Sequence, residues 1–153
     1  MSGSRKSSDS KESQRKLENM KADAWKVRQN AYCIYSGFKV GASVRSAQTG
    51  QYYSGCNVEN AAFPSGLCAE RGAICKAVAA EGPSVKFDRC VVVAESDSIT
   101  YPCGACRQML VEFGNEMIVT CVNHLGQEST VSLDKLLPNS FGPHSFTPKS
   151  QIQ

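Results

Sequence analysis

The sequence predicts a three-layer α/β/α sandwich around a mixed central sheet of about five strands. Apolar residues recur at helical steps before the first strand and again after Cys68. Two short β-branched runs, Phe87–Ala94 and 117–123, have strand length and flank a third helix-forming stretch. A hairpin pattern lies between the first two helices, so helices and strands alternate along most of the chain.

Over residues 13–31, Leu17, Met20, Ala24, Val27 and Ala31 fall at steps of three and four, giving a helix with one face for a sheet. Residues 1–12 are rich in Ser and Lys, with too few apolar groups to offset the entropy of ordering, so composition predicts a disordered tail. Residues 40–47 and 51–57 read as two strands around Thr49-Gly50, with the glycine supplying the positive φ of a hairpin turn. A loop with Pro64 and Gly66 precedes an Ala-rich helix over 68–81, which has Ile74 and Val78 at helical spacing and is stopped by Gly82-Pro83. The third helix, 103–113, enters after Pro102 and closes at Gly114. A turn at Leu125-Gly126-Gln127 leads to a short strand, 129–133, and a helical turn, 134–137. The expected organisation is a tail, one domain over 13–148 and a loose end at 149–153.

A chain of 153 residues suits one domain, and no apolar run approaches the roughly 18 residues of a membrane span. The first 14 residues contain no apolar core of a secretory signal, so a cytoplasmic location without membrane association is expected. Of the net charge of +3, residues 1–24 hold six Lys/Arg against four Asp/Glu, leaving eleven against ten for the rest. A near-neutral body lacks the clustered cations that track a phosphate backbone, so no nucleic-acid partner is expected.

Eight cysteines without a secretory signal point to metal binding or burial rather than a disulfide framework. In Pro102-Cys103-Gly104-Ala105-Cys106 two thiols lie one helical turn apart, a spacing shared by zinc sites, redox pairs and inert buried pairs. Cys68-Ala69-Glu70, 35 residues upstream, opens another predicted helix, so two helix starts can meet and present three thiolates to one ion. Glu70 then faces the open fourth position, where a carboxyl group transfers protons; its alternative is a surface glutamate favoured by the helix dipole. Cys75 lies roughly 10 Å along the helix from Cys68, too far to share that ion. Cys33, Cys56, Cys90 and Cys121 lack motif spacing, and His124 and His144 lie in a turn and a late loop. Three thiolates leave a zinc ion with a net charge near −1, which weakens its hold on water-derived anions unless something positive offsets it. Arg71 and Arg107 each follow a ligand segment, with Arg71 the preferred donor to sulfur; the alternative for either is a solvated helix charge.

These residues match the Cys-x-Glu and Pro-Cys-x-x-Cys signature of zinc deaminases. More closely, the chain resembles the small homotetrameric cytidine deaminases across about 24–143. The resemblance rests on Tyr35-Ser36-Gly37-Phe38-Lys39-Val40-Gly41-Ala42, Gly55-Cys56-Asn57-Val58-Glu59-Asn60-Ala61, Cys68-Ala69-Glu70-Arg71 and Ser140-Phe141-Gly142-Pro143.

The resemblance implies one zinc ion per subunit on Cys68, Cys103 and Cys106 and no organic cofactor. It implies attack of zinc-activated water at C4 of cytidine or deoxycytidine, with Glu70 protonating N3 and then the departing ammonia, a reaction of pyrimidine salvage. It places Asn57 and Glu59 on the ribose hydroxyls, Phe38 beside the base and the Ala69 backbone on the pyrimidine edge. Ala61 joins this substrate-binding set, while Phe141 stacks from a neighbouring subunit of a homotetramer with shared sites. Phe63 stands where the family often has a tyrosine directed at the sugar, so one hydroxyl contact is absent. Deoxycytidylate and polynucleotide deaminases use His-x-Glu where this chain has Cys68-Ala69-Glu70. Two alternatives to cytidine deamination are a blasticidin-type or other cytosine-analogue deaminase and a non-catalytic zinc-stabilised interaction module.

Overall fold

In the computed structural model, which describes residues 3–146 apart from the side chains of 3–9 and 144, five strands form one sheet. They are β1 (Val40–Ser46), β2 (Tyr52–Cys56), β3 (Phe87–Ala94), β4 (Ile118–Asn123) and β5 (Glu128–Ser132), in the order β2-β1-β3-β4-β5. β1 pairs antiparallel with β2 and β3, β3 pairs parallel with β4, and β4 pairs antiparallel with β5. The sheet is mixed, as the sequence predicts, and Gly50 adopts φ 73° at the hairpin turn.

Alternation along β3 sets the layers. Val91 and Val93 pack with Leu17, Met20 and Ala24 of α1 (Gly3–Arg28). Cys90 and Val92 pack on the other face with Ile74 and Ala77 of α2 (Ala69–Glu81) and Leu110 and Val111 of α3 (Gly104–Val111). Leu133, the first residue of α4 (Leu133–Leu136), is buried on that side too. No helix among the described residues is long and apolar enough to cross a membrane.

The strands and the other α-helices end within two residues of the sequence reading, and the first helix departs further. The first helix stops at Arg28 rather than 31, and it runs back to Gly3, over residues for which composition predicts a disordered tail. Burial is not required for that extension, because adding a residue to a formed helix is far easier than nucleating one. A Glu12–Lys16 pair at 2.6 Å and four residues apart supports it. The expected loose end at 149–153 lies outside the described residues.

One glycine positions the site. A Cβ on Gly55 of β2 would lie 2.4 Å from the Ala73 nitrogen and 2.6 Å from the Ala69 carbonyl oxygen, so α2 rests directly on the strand backbone. Gly55→Ala is expected to destabilise the protein by about 1–3 kcal/mol or more, because neither backbone can yield locally. Urea unfolding checks this, and an unchanged midpoint would contradict the contact.

Candidate active site

Cys68 and Cys103 are the N-cap residues of α2 and α3, both in extended conformation, and neither side chain bonds to its own helix's N–H groups. Their sulfurs turn instead toward each other, 3.9 Å apart, and Cys106 joins them from the first turn of α3. All three Sγ atoms lie within 4.8 Å of one another. A tetrahedral zinc ion with Zn–S bonds of about 2.3 Å holds its sulfurs about 3.8 Å apart, so the donor set fits this metal in both chemistry and size. Cys106 is buried, Cys68 half-buried and Cys103 exposed, which leaves one side of the cluster accessible.

No fourth His, Asp or Glu joins the group among the described residues. His124 lies against the Ser96 carbonyl at 2.9 Å and 3.7 Å from Asp97, while the side chain of His144 is outside the description. Cys75 is exposed on α2, and Cys90 and Cys121 are buried in the core.

The cluster favours a thiolate. A hydrogen bond from the Cys106 thiol, with Arg71 adding to it, draws the Cys68 thiol down to about 5. The same bond, reinforced by burial, holds the proton on Cys106. Arg71 Nη2 donates to the Gly66 carbonyl at 3.0 Å and reaches Cys68 Sγ at 3.6 Å, the contact expected of the preferred arginine. Arg71→Gln is expected to weaken zinc binding by about 10- to 100-fold, since the guanidinium offsets the thiolate charge. Competition with a chelator measures this, and unchanged metal content would sink it.

Glu70 is the second residue of α2 and only 4% exposed. Burial raises its carboxyl pKa, and the Cys68 thiolate adds to that, against its own backbone N–H, Cys106 and Arg71. Within the described residues it forms no ion pair, so its burial has no charge partner to explain it. A buried, neutral-leaning carboxyl beside an accessible metal position is equipped to exchange protons there.

An open cleft of about 600 Å³ reaches Cys68 and Arg71, with Asn57, Glu59, Phe63 and Leu67 among its walls. Its volume suits a small organic molecule. Glu59 accepts from the Tyr35 N–H at 2.8 Å, the Ser36 N–H at 3.2 Å and the Ser36 hydroxyl, and these donors, the hydroxyl foremost, hold its carboxyl below the ordinary range. Ser36 sits inside the Tyr35-Ser36-Gly37-Phe38 motif, yet nothing in the sequence marks its hydroxyl as Glu59's partner.

Asn57 has a role that spacing does not reveal. Its Oδ1 accepts from the Val40 N–H at 2.8 Å and its Nδ2 donates to the Phe38 carbonyl at 2.9 Å, so it anchors the loop carrying Phe38. Phe38 is 41% exposed, and Phe63 meets Tyr35 edge-on at 5.8 Å. Ala69, buried, opens α2 beside Glu70. Ala61 and Phe141 are exposed and do not line the cleft; Phe141 lies on the C-terminal segment, its carbonyl accepting from Gln108 at 2.7 Å.

Three thiols shaped for zinc, an accessible fourth position and a buried carboxyl define a zinc-dependent hydrolytic enzyme. Residues 14–122 match the family described as the cytidine and deoxycytidylate deaminase zinc-binding region. Similar proteins include a cytidine deaminase of Sporosarcina psychrophila, 42% identical over 132 residues, covering 86% of this chain and 95% of the relative. A probable cytidine deaminase of Dictyostelium discoideum is 38% identical, covering 90% and 92%. The crystal structure of a cytidine deaminase from Burkholderia pseudomallei superposes with a TM-score of 0.76 at 39% identity, covering 81% of this chain and 98% of that one. The chain belongs to the cytidine and deoxycytidylate deaminase family.

Proposed function

We propose that this protein hydrolyses cytidine and deoxycytidine to uridine and deoxyuridine with release of ammonia, in pyrimidine salvage. The observation that carries this reading is buried Glu70 beside a three-thiol cluster whose Cys68 lines a cleft with Asn57 and Glu59. Held by Cys68, Cys103 and Cys106, zinc supplies the Lewis acidity that makes water nucleophilic near neutral pH.

The chain's own residues do the rest. Glu70 takes a proton from the attacking water and delivers it to N3 as the C4–O bond forms, then takes the second proton from the new C4 hydroxyl and gives it to the amine as the C4–N bond breaks, leaving a C4 carbonyl and ammonia. Its burial suits this, because a raised pKa keeps donor and acceptor forms close in energy. The Ala69 backbone faces the pyrimidine edge, Phe38 lies beside the base, and Asn57 and Glu59 receive the ribose hydroxyls; Glu59 is pre-oriented by Tyr35 and Ser36. Ala61, outside the cleft, continues the segment that carries Asn57 and Glu59, and Phe63 gives an apolar wall without a sugar-binding hydroxyl.

We assign one zinc-dependent deaminase domain to 13–148, a homotetrameric assembly with shared sites and a cytoplasmic location. The exposed rings of Phe63 (75%) and Phe141 (63%) support the assembly, since large exposed aromatics favour an interface.

Loss of cytidine absorbance on adding purified protein tests the activity, beside a chelated sample and cytidine monophosphate. Turnover of cytidine, abolished by chelation, is the expected result. The monophosphate is expected to react poorly, because Arg71 is the one Lys or Arg among the cleft residues and is committed to Cys68 and the Gly66 carbonyl. A folded, zinc-loaded protein inactive on cytidine would overturn the proposal in favour of another amine or a structural zinc.

A further inference from the structure

Arg107 follows Cys106 on α3, and its sequence position fits either a charge facing the thiolates or a solvated arginine. The structure gives it a third environment. Its Nε donates to the Pro102 carbonyl at 2.8 Å and its Nη1 to the Leu136 carbonyl at 2.8 Å. The side chain is half-buried and, among the described residues, forms no ion pair.

Both carbonyls matter to the fold around the metal. That of Pro102 belongs to the peptide joined to the Cys103 nitrogen, in a stretch between β3 and α3 without regular structure. The Cys103 thiol makes no cap bond to its own helix, so that helix does not hold the sulfur in place. Leu136 ends α4, where carbonyls lack helical partners. One planar guanidinium therefore spans from the residue before a metal ligand to the end of the last α-helix, and the adjacent Gln108 holds the Phe141 carbonyl further along.

We infer that Arg107 is a positioning residue for the metal: its fork fixes Cys103 against α4, so that zinc retention and docking of α4 are coupled. The inference rests on the three-thiol zinc site proposed above. A ligand already held in place gives up little freedom on binding, so loosening its carbonyl anchor speeds metal loss. Coupling is reciprocal, and zinc must then stabilise α4 in return.

The test uses the full-length protein. Zinc transfer to a coloured chelator is timed for wild type and Arg107→Lys, and hydrogen exchange across 133–137 is followed with and without zinc. Lysine keeps the charge but cannot reproduce the fork. Arg107→Lys is expected to release zinc about tenfold faster or more. Wild-type α4 is expected to be better protected with zinc than without, and the variant to lose that difference. Wild-type release kinetics in Arg107→Lys would mean that charge alone suffices and would overturn the inference. So would wild-type α4 protection that is indifferent to zinc, a comparison that decides the matter even if the variant fails to fold. A wild type that binds no zinc would instead overturn the zinc reading itself, and this inference with it.

Discussion

Glu70→Gln is expected to lower kcat for cytidine by roughly 10²–10⁴-fold while zinc content stays at the wild-type level. Glutamine matches the carboxyl in shape, and at a position 4% exposed a neutral side chain is accommodated without the desolvation that an ionised one incurs. The variant should fold at least as well as the parent, so a loss of turnover reports on proton transfer alone. An amide cannot pick up the proton of water or pass it to N3 and the leaving amine. Steady-state kinetics with metal analysis and thermal unfolding on the same preparation checks the three parts together. Activity within about tenfold of wild type would move the proton shuttle to another group.

The second large effect is expected at Cys106. Cys106→Ser should reduce zinc affinity by more than about 100-fold and bring the deaminase rate to background, because even groups that only support ligands change affinity by 10–100-fold. Cys106 is fully buried against the other two sulfurs, and a hydroxyl is neither soft nor readily ionised there. Cys75→Ser, on an exposed position of α2, serves as control and should leave both quantities unchanged. Zinc retained by Cys106→Ser would point to a ligand beyond the three thiols.

Where local pattern decides structure, the sequence is informative. β3 is predicted at Phe87–Ala94 to the residue, because Cys90 to Ala94 is an apolar run buried on both faces that stops at Glu95, and buried Phe87 opens the strand ahead of Asp88 and Arg89. The helix starts at Cys68 and Cys103 are legible to within one residue, since a cap residue is half inside its helix. Cys103 and Cys106 are readable from spacing as a pair on one helical turn, with zinc, redox and buried readings all open, and the fold closes the 35-residue gap that brings Cys68 to them.

What escaped the sequence depends on contacts distant along the chain. Arg71 and Arg107 occupy equivalent places after their ligand segments, yet one reaches sulfur and the other two carbonyls. Asn57 reads as a polar strand residue until Val40 and Phe38 are brought to its two amide atoms. Ser36 becomes visible as Glu59's partner only when the loop folds over the strand end.

The contact beneath Gly55 bears on how such an enzyme tolerates sequence drift. Because α2 touches the strand main chain there, the height of Glu70 above the sheet is set by two backbones in van der Waals contact rather than by an exchangeable side chain. Neighbouring apolar residues can change through generations of substitution and alter how firmly the helix is held, while the depth at which the carboxyl sits stays the same. Thermal tolerance is thus free to diversify among descendants ahead of chemistry, and an engineer seeking a hardier variant has the rest of that layer to work with, provided position 55 is left alone.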